Sequence, residues 1–466
     1  MSRVLLLLVG TLLAICGTAQ TDDFFVVDRL YFEGNDKTAE RVIYNELDIA
    51  VGDTIYTRDL DRTLLENKKR LLSTALFTIV EMHVKNWRIS EQRAEIQIIF
   101  QENWYIYPSV IFELADRNFN VWWTEQNRDF SRIDYGLSVD HINLTGNKDK
   151  LKVKLQRGFT HKYEISYEYP YISRYWGMSG ELFYATNKEL GFVTTENILR
   201  FRREDDERVL LRRFRTGVGV NYRPNVYVFQ EARLQYHRNT IDEVVAAEYN
   251  PEYFGEARTV QQYFRLSYGY RYDRRVFTLY PEGGYAVSIG AVKEGLAVFD
   301  DINTLSVDAS YEKYHSVTNR WIVGGRVKGS TQLIRDAIPY ANNQGLGYEE
   351  DLVRGYELYV LDGADWLLVK TSASYLLHSS IRQLGSYMPI QQLRKMPLKI
   401  YLRANIDTGY ANEPTYIATN ELNNRWVLGY GPAVDVVVWN VGLFSVEYSF
   451  NDLGEDNLFL SADFNF

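Results

Sequence analysis

The sequence contains a single cysteine, Cys16, in 466 residues. It directly follows a short apolar stretch at residues 4–15, which has one basic residue ahead of it and small residues behind it. This pattern predicts a secretory signal peptide over residues 1–19, too short to span a membrane. The alternative is a lipoprotein signal that uses Cys16, but such signals have a small residue where Ile15 stands. Cleavage after Ala19 would leave a mature chain without disulfides, thiol chemistry or cysteine-bound metals.

An excess of positive charge is also missing, because the formal net charge at pH 7 is -9. The chain therefore has no general basic surface, and no nucleic-acid partner is expected. After the signal segment, the chain has no run of about 20 apolar residues, which is the length that a membrane-spanning helix needs. These two absences argue against a nucleic-acid-binding protein and against a helical membrane protein.

Catalytic motifs are the third absence. The chain has six histidines, and none stands in an HExxH helix or beside a GxSxG elbow. No glycine-rich phosphate loop with lysine is present either. The sequence thus predicts no enzyme, no cofactor and no metal site. The remaining catalytic alternative is a hydrolase whose Ser and His lie far apart in the sequence.

Tyrosine is abundant, at 36 residues, and from residue 131 onward apolar and polar side chains alternate. One such segment sets Lys150, Lys152, Lys154 and Gln156 against Leu151, Val153 and Leu155. Other charges on the polar faces are Glu164, Glu168, Asp308, Glu312 and Glu447. A membrane β-barrel has this pattern because its strands face lipid on one side and a polar lumen on the other. A soluble sandwich also alternates, but it does not explain the signal peptide or the apolar final strand.

The last ten residues alternate up to a terminal phenylalanine. Leu458, Leu460, Ala462, Phe464 and Phe466 would lie on one side of a strand, and Phe459, Ser461, Asp463 and Asn465 on the other. We interpret the first set, above all Leu458, Leu460, Phe464 and Phe466, as the lipid-facing side of a closing strand and as an assembly signal. A barrel of the bacterial outer membrane has such a strand.

Alternating segments counted from residue 133 number 16, an even number as bacterial barrels require. Residues 132–466 are therefore predicted to form the barrel. Residues 105–131 are ambiguous, because they read either as a linker or as an extra hairpin that would bring the strand number to 18. A long loop at residues 332–362 separates the eleventh segment from the twelfth.

Residues 20–104 differ from the rest and predict a small α+β module. A first strand ends at a turn with Gly34 and Asn35, and Thr38 and Thr57 are the expected caps of two helices. Two further strands follow, and the first of them begins beside Phe77. The order strand, helix, helix, strand, strand is that of a compact soluble domain.

This order resembles one polypeptide-transport-associated (POTRA) domain, on the residues Phe32-Glu33-Gly34-Asn35 and Ala75-Leu76-Phe77. The long loop contains Val353, Arg354, Gly355 and Tyr356, and five strands follow it. Both features resemble the superfamily of BamA/TamA-like outer-membrane insertases and two-partner-secretion transporters, also called the bacterial surface antigen family. Asp407 and Gly409, on the lumen face of the thirteenth segment, match a second pattern of that superfamily, although Asn405 replaces its aromatic residue. A third match is the pair of runs at 273–275 and 281–284.

The resemblance implies an α+β periplasmic POTRA domain followed by an all-β, 16-stranded antiparallel transmembrane β-barrel in the bacterial outer membrane. It implies a transporter or insertase that needs no cofactor. The expected partners are the outer-membrane lipid bilayer and unfolded outer-membrane or secreted proteins, with periplasmic chaperones and accessory lipoproteins as further candidates. The long loop is expected to fold into the lumen, with Arg354 bonded to Asp407.

Three functions remain open at this point. In the first, the POTRA domain captures clients by strand addition at the strand near Val80 or the strand near Ile96, and the barrel opens sideways between its first strand, at 135–143, and its last. In the second, a dedicated two-partner-type translocator passes one secreted protein through the lumen. In the third, the barrel is a passive polar pore.

Overall fold

The structure is a computed structural model that describes residues 23–114, 121–204, 208–299, 301–335, 338–348, 351–389, 393–413 and 419–464. The predicted signal peptide and the terminal Phe466 lie outside these ranges. No helix within them is long and apolar enough to cross a membrane.

The N-terminal module is a four-stranded sheet covered by two helices. Its elements are β1 (Phe24–Glu33), α1 (Glu40–Glu46), β2 (Thr54–Tyr56), α2 (Leu60–Ser73), β3 (Phe77–Arg88) and β4 (Arg93–Glu102). The sheet order is β2-β1-β4-β3, with β1 parallel to β4 and the other pairs antiparallel. The apolar faces of the helices pack on the sheet, and the fully buried residues include Phe25, Val27, Val42, Ile43, Leu71, Val80, Ala94, Ile96 and Ile98. This α+β architecture confirms the predicted fold class.

Thr38 does not cap α1, so that prediction is wrong. The helix begins after Ala39, which is its N-cap residue and makes no side-chain capping bond. The Thr38 hydroxyl is buried and lies 3.0 Å from the Tyr105 hydroxyl, and it accepts a hydrogen bond from the Asn143 side chain at 2.9 Å. The barrel thus supplies partners that the sequence of the module alone does not reveal.

Thr57 does not cap α2 either. It opens a single 3-10 turn at Thr57–Asp59, and α2 begins after Asp59. The Thr57 hydroxyl donates instead to the carbonyl of Asp23, at the start of the chain segment that forms β1. A contact with a distant part of the chain thus takes the place of the predicted helix cap.

The C-terminal part is one antiparallel sheet of 16 strands, as predicted. Its strands are β5 (Ile106–Leu114), β6 (Ile133–Ile142), β7 (Lys150–Gly158), β8 (Thr160–Tyr169), β9 (Trp176–Asn187), β12 (Leu211–Tyr222), β13 (Val228–Ile241), β14 (Val260–Asp273), β15 (Gly284–Glu294), β16 (Thr304–Ser316), β17 (Trp321–Ile334), β18 (Asp365–Gln383), β19 (Lys395–Asn412), β20 (Trp426–Val438), β21 (Gly442–Asn451) and β22 (Asp456–Phe464). β10 (Glu189–Thr195) and β11 (Ile198–Arg203) form a separate hairpin between β9 and β12. Apart from this inserted hairpin, each strand of the large sheet pairs with the next along the chain, so the chain runs around the sheet as a meander.

The predicted membership of the barrel is wrong in two places. The segment near residue 199 is β11, which lies outside the barrel sheet, and the segment read as a linker or extra hairpin at 105–131 contains the first barrel strand, β5. One segment was wrongly included and one strand was left out, so the predicted number of 16 strands is still correct. β11 pairs only with β10, which contributes Leu190 to an apolar cluster that also contains Val245. The barrel therefore begins before residue 132, and its first strand is not the one at 135–143.

Burial in the barrel is inverted relative to a soluble protein. Large apolar side chains are exposed on the outer face, among them Val218, Val220, Leu266, Tyr268, Tyr311, Leu402, Ile406, Val434, Val446, Leu458 and Leu460. Polar side chains are buried on the inner face, among them Ser138, Gln156, Asn221, Gln235, Asn405, Asp407, Asp435, Ser445, Glu447 and Ser449. Lipid around the barrel and a polar lumen within account for both sets. A soluble sandwich would bury the first set instead.

Candidate functional site in the lumen and at the domain junction

The loop between β17 and β18 enters the lumen, and Arg354 is its charged contact with the wall. One guanidinium nitrogen donates to both carboxylate oxygens of Asp407, at 2.7 and 2.9 Å. The Arg354 Nε lies 2.9 Å from the carboxylate of Glu447. Asp407 and Glu447 are 1% and 3% exposed, so one arginine holds two carboxylates that are almost fully removed from water. The structure therefore brings Arg354 and Asp407 together and adds Glu447, which the sequence placed on the lumen face without a partner.

Two glycines let the loop backbone touch the wall. Gly355 has a φ of +83°, and a Cβ there would lie 2.6 Å from the Phe450 carbonyl oxygen. Gly429, on β20, faces the loop from the other side, and a Cβ there would overlap the carbonyl oxygen of Arg354. Any side chain at either position would push the loop away. Gly355 was predicted for this role and Gly429 was not.

Apolar packing holds the same loop above its charged contact. Val353 and Tyr356 are 2% and 1% exposed, and the Tyr356 hydroxyl bonds to Asp452. Val353 contacts Gly409, the second predicted wall residue. The cluster around them comprises Leu346, Leu361, Leu368, Ala411, Leu422 and Val427. These side chains come from the loop, three strands and the loop between β19 and β20.

Below the loop, Arg403 continues the chain of charges toward the periplasm. It lies 3.3 Å from Glu447 and forms a two-point contact with Asp435 at 2.6 and 3.0 Å. Glu447 is thus shared by Arg354 and Arg403. Such alternation lets each buried charge keep a partner of opposite sign. In the described ranges, no group of three or more His, Cys, Asp or Glu side chains is placed to hold a metal ion.

A second loop enters the lumen from the periplasmic side, between β14 and β15. The Tyr280 hydroxyl lies 2.9 Å from the Asp435 carboxylate, and its ring stacks on Tyr401 at 4.4 Å between centroids. Glu282 bonds to Lys399 at 2.5 Å. This loop carries the third motif that the sequence singled out. Between the two loops lies a polar chamber of about 790 Å³.

The β10–β11 hairpin crosses the extracellular mouth at its turn residue, Asn197. The Asn197 side chain donates to Asn423 at 2.7 Å, and its backbone N–H donates to the Asn420 side chain at 2.9 Å. Its carbonyl accepts from the N–H of Val360, at the end of the inward loop, at 2.7 Å. Asn197 is 1% exposed. One residue therefore ties together three extracellular segments over the lumen.

At the other end of the barrel, Glu46 joins the N-terminal module to three periplasmic turns. Its carboxylate accepts from Lys148 at 2.6 Å, from the Tyr171 hydroxyl at 2.6 Å and from Arg223 at 2.7 and 2.9 Å. Burial alone would raise the pKa of Glu46, but Lys148 and Arg223 outweigh it and hold that pKa well below its usual range. Sequence reasoning missed Glu46, because its partners lie far away in the chain and a helical glutamate is usually solvated.

Replacing Glu46 with glutamine is expected to release the module from the barrel. The change keeps the shape but leaves Lys148 and Arg223 without an anion, which for a buried group costs about 3 to 5 kcal/mol. Distances between spin labels at Arg62 on α2 and Asn319 in a periplasmic turn would broaden. Because the folded pKa is lowered, the wild-type contact is complete above the unfolded glutamate pKa of about 4.3 and weakens only as the pH falls through the folded value.

The matched control for this experiment is Glu40→Gln, on the same helix but exposed. It should leave the distance distribution unchanged. Wild-type distances should also stay constant between about pH 5 and pH 8. An unchanged distribution in Glu46→Gln would contradict the assigned role.

The other predicted site residues lie in the module and the final strand. Gly34 has a φ of +85°, and the Asn35 side chain donates to the Thr38 carbonyl at 3.0 Å. The ring centroids of Phe77 and Phe100 are 4.3 Å apart. Leu458 and Leu460 are exposed on the outer face. Phe464 ends β22 opposite Gly442. The side chain of Phe464 and all of Phe466 lie outside what the structure describes.

The chain matches one family model and is similar to three solved structures. The Omp85 superfamily domain matches residues 143–375, half of the chain. BamA from Haemophilus ducreyi lacking POTRA domains 1–3 is similar in structure, with a TM-score of 0.52 and 14% identity over 94% of this chain and 84% of that one. CdiB from Escherichia coli gives a TM-score of 0.54 at 12% identity, over 94% and 75% of the chains, and CdiB from Acinetobacter baumannii 0.51 at 12%, over 94% and 73%. At these identities the likeness is one of fold. No curated protein sequence matches the chain significantly.

Proposed function

This chain belongs to the Omp85 superfamily, and we propose that it captures periplasmic polypeptides on its POTRA domain and assists their insertion into the outer membrane through the barrel seam. As a member of that superfamily it is an outer-membrane β-barrel that inserts or transports proteins and is not an enzyme. The proposed part is the mode of capture and the route that the client takes.

Capture is assigned to β3. The sequence left two candidate edges open, but β4, which carries Ile96, lies between β1 and β3 and pairs with both. β3, which carries Val80, stands at the end of the sheet order and is 12 residues long. The opposite edge, β2, has only three residues. A long strand at the edge of a sheet offers its backbone N–H and C=O groups to an extended chain.

The route is assigned to the seam between β5 and β22, and the observation that carries this proposal is the strand order. Every neighbouring pair in that order is joined by a ladder, and β5 and β22 stand at its two ends. Within the described strands, no ladder joins those two. Val110 and Phe112 on β5 are 81% and 74% exposed, more than the outward residues of interior strands such as Val218 at 64%. The lumen, by contrast, is occupied by two loops and crossed by the hairpin at its mouth.

Pro108 weakens this seam further. The Ile142 N–H donates to the Tyr105 carbonyl at 2.8 Å, which makes that pair a hydrogen-bonded one in the β5–β6 register. Because such pairs alternate in an antiparallel ladder, the backbone groups of Ile106, Pro108, Val110 and Phe112 face away from β6 and toward the seam. Proline has no N–H, so one of these four positions cannot donate to β22.

Capture on β3 predicts where a client crosslinks. A photoreactive amino acid at His83, exposed on β3, should form adducts with unfolded outer-membrane proteins in cells. The matched position is Thr54, exposed on the opposite edge strand β2, which should give few adducts or none. Equal yields at the two positions, or adducts at Thr54 alone, would contradict capture on β3.

Depletion of the protein, followed by a proteomic census of the outer membrane, tests the function as a whole. Loss of many barrel proteins is the expected result. Loss of a single exported protein would instead support the second candidate, a dedicated secretion translocator. The polar chamber of about 790 Å³ inside the lumen is the feature that favours this candidate.

A further inference from the structure

An apolar cavity and a basic cleft lie side by side between the POTRA domain and the periplasmic end of the barrel. The cavity has a volume of about 290 Å³, and the cleft has one of about 320 Å³. Both are lined by Ser73 on α2 and by Phe277 and Thr278 in the loop between β14 and β15. The two spaces therefore adjoin, and together they form the junction site, which has an apolar part and a charged part.

The apolar part reaches from Phe277 to the lipid-facing side of the barrel. Its walls include Leu72, Tyr107, Leu279, Pro397, Trp439 and Phe444. Phe444, on β21, is exposed on the outer face and stands opposite Ala462 of the last strand, β22. An apolar space of this kind binds apolar groups better than water, so an opening beside lipid suits a hydrocarbon chain.

Positive charge predominates in the other part of the junction site. Six basic side chains line it, namely Lys69, Arg70, Lys148, Arg223, Arg274 and Arg275, against the three acidic side chains of Glu46, Glu66 and Asp273. The guanidinium groups of Arg70 and Arg274 both lie over the ring of Tyr227, at 4.5 and 4.4 Å from its centroid. Two like charges are thus held close together, and an anion beside them would offset their repulsion.

Arg274 and Lys69 are the cations that an anionic ligand can reach. Arg70 already pairs with Asp48 at 3.0 Å, whereas neither Arg274 nor Lys69 forms an ion pair with any residue that the structure describes. The Lys69 ammonium group lies 6.0 Å from the ring centroid of Phe277, at the boundary between the two parts. Phe277 has a φ of +60°, which a bulky residue rarely adopts, and such strain is typical of ligand sites.

We propose that the junction site binds an anionic glycerophospholipid of the periplasmic leaflet, with its phosphate between Lys69 and Arg274 and one acyl chain in the apolar part. Arginine and lysine bind phosphate oxygens, and basic pockets beside membrane-spanning segments bind anionic head groups. The bound lipid would contact α2, the loop between β14 and β15, and β21 at once. It would therefore stabilise the docking of the POTRA domain beside the seam. This inference does not depend on the capture of clients at β3.

Phosphatidylglycerol with brominated acyl chains, added to the delipidated full chain in detergent, tests this assignment. Bromine quenches tryptophan fluorescence only at short range, and Trp439 lines the apolar part. The lipid should therefore quench a component of the emission that Trp439→Phe removes, and it should raise the thermal transition of the wild type. Phosphatidylcholine with the same chains should bind several-fold more weakly, because its head group carries no net charge.

Two variants test the two parts of the site separately. Lys69→Gln combined with Arg274→Gln should weaken binding by about tenfold or more, because two charged contacts with the phosphate are lost. Its matched control is Lys68→Gln, at the neighbouring position on α2 but outside the cleft lining, which should bind as the wild type does. Val441→Phe narrows the apolar part and should weaken binding at least about tenfold, because fewer methylene groups are buried. Val317→Phe, in another periplasmic turn, should have no effect.

Four outcomes would overturn the proposal. The first is equal quenching of Trp439 in the wild type and in both variants, and the second is equal affinity for the two lipids. Complete displacement of the lipid by inorganic phosphate would show a site for anions alone, and complete displacement by an unfolded barrel protein would make a polypeptide the occupant. If the double variant lacks the gel shift of a folded barrel, Arg274→Gln alone replaces it. This exposed position should then give a loss of at least about threefold, and no loss would contradict the assignment.

Discussion

A disulfide across the seam is expected to abolish insertion while leaving the barrel folded. Cysteines at Val110 on β5 and at Leu458, Leu460 or Ala462 on β22 all stand on the outer face, near mid-strand, so one of the three pairs should approach disulfide geometry. The seam is then closed covalently, and lateral release of a client becomes impossible. Engineered cysteines would be the only ones in the mature chain, because Cys16 lies in the predicted signal peptide. Reduction should restore insertion within the same sample.

The matched control is a disulfide across an ordinary pair, Phe112 with Tyr135, which stand opposite each other in the β5–β6 ladder on the outer face. That bond links strands that never need to separate, so insertion should continue. Folding is measured for both by the mobility shift on gels with and without heating. Full activity in the oxidised seam variant would contradict lateral release and favour passage through the lumen.

Replacing Arg354 with alanine is expected to free the inward loop. Asp407 and Glu447 would both stay buried and lose their shared cation, and breaking one buried ion pair by removing a partner costs about 3 to 5 kcal/mol. The packing of Val353 and Tyr356 would then hold the loop, together with its remaining hydrogen bonds to Asp452 and Asn197. We expect new protease cleavage within the loop, a lower thermal transition and reduced insertion. Conductance in planar bilayers should rise above a low wild-type level, because the loop no longer occupies the lumen.

Arg335→Ala is the control within the same loop. Arg335 pairs with Asp365 on the rim, but its side chain is 50% exposed, and pairs of that kind contribute about 0 to 1 kcal/mol. Arg335→Ala should match the wild type in protease cleavage, thermal transition, insertion activity and conductance. Arg354→Lys should give values between those of the wild type and those of Arg354→Ala, because one ammonium group cannot reproduce the two-sided contact of the guanidinium. A large steady conductance in the wild type itself would support the passive pore.

The barrel and the charged core of the loop were accessible to sequence reasoning because both follow from side-chain periodicity. Period-two alternation placed Asp407 and Gly409 on the lumen face, and the structure has them there, next to Arg354 and Val353. The same pattern could not separate β11 from a barrel strand, since a strand of a separate hairpin can alternate in the same way. It also obscured β5, whose Pro108 argues against a strand unless the strand lies at an edge.

The errors at Thr38 and Thr57 and the missed Glu46 share one physical cause. Each side chain is bound by groups more than 30 positions away in the chain, so no local pattern records the contact. Gly429 was missed for a similar reason, because a glycine in a strand reveals a close approach only when the approaching segment is known. Contacts within one element can be inferred from spacing, whereas contacts between elements require the packed fold.

Glu46 has a consequence for the proposed capture of clients. The Glu46 carboxylate is bound to three turns at once. It therefore fixes the orientation of the POTRA domain relative to the barrel, because rotation about any axis would break at least one of these bonds. The edge strand β3 then keeps a fixed position and direction relative to the seam. Under the proposed capture on β3, a polypeptide would therefore reach the seam from one side of the barrel, and a delivery factor would have to approach the periplasmic rim from that side.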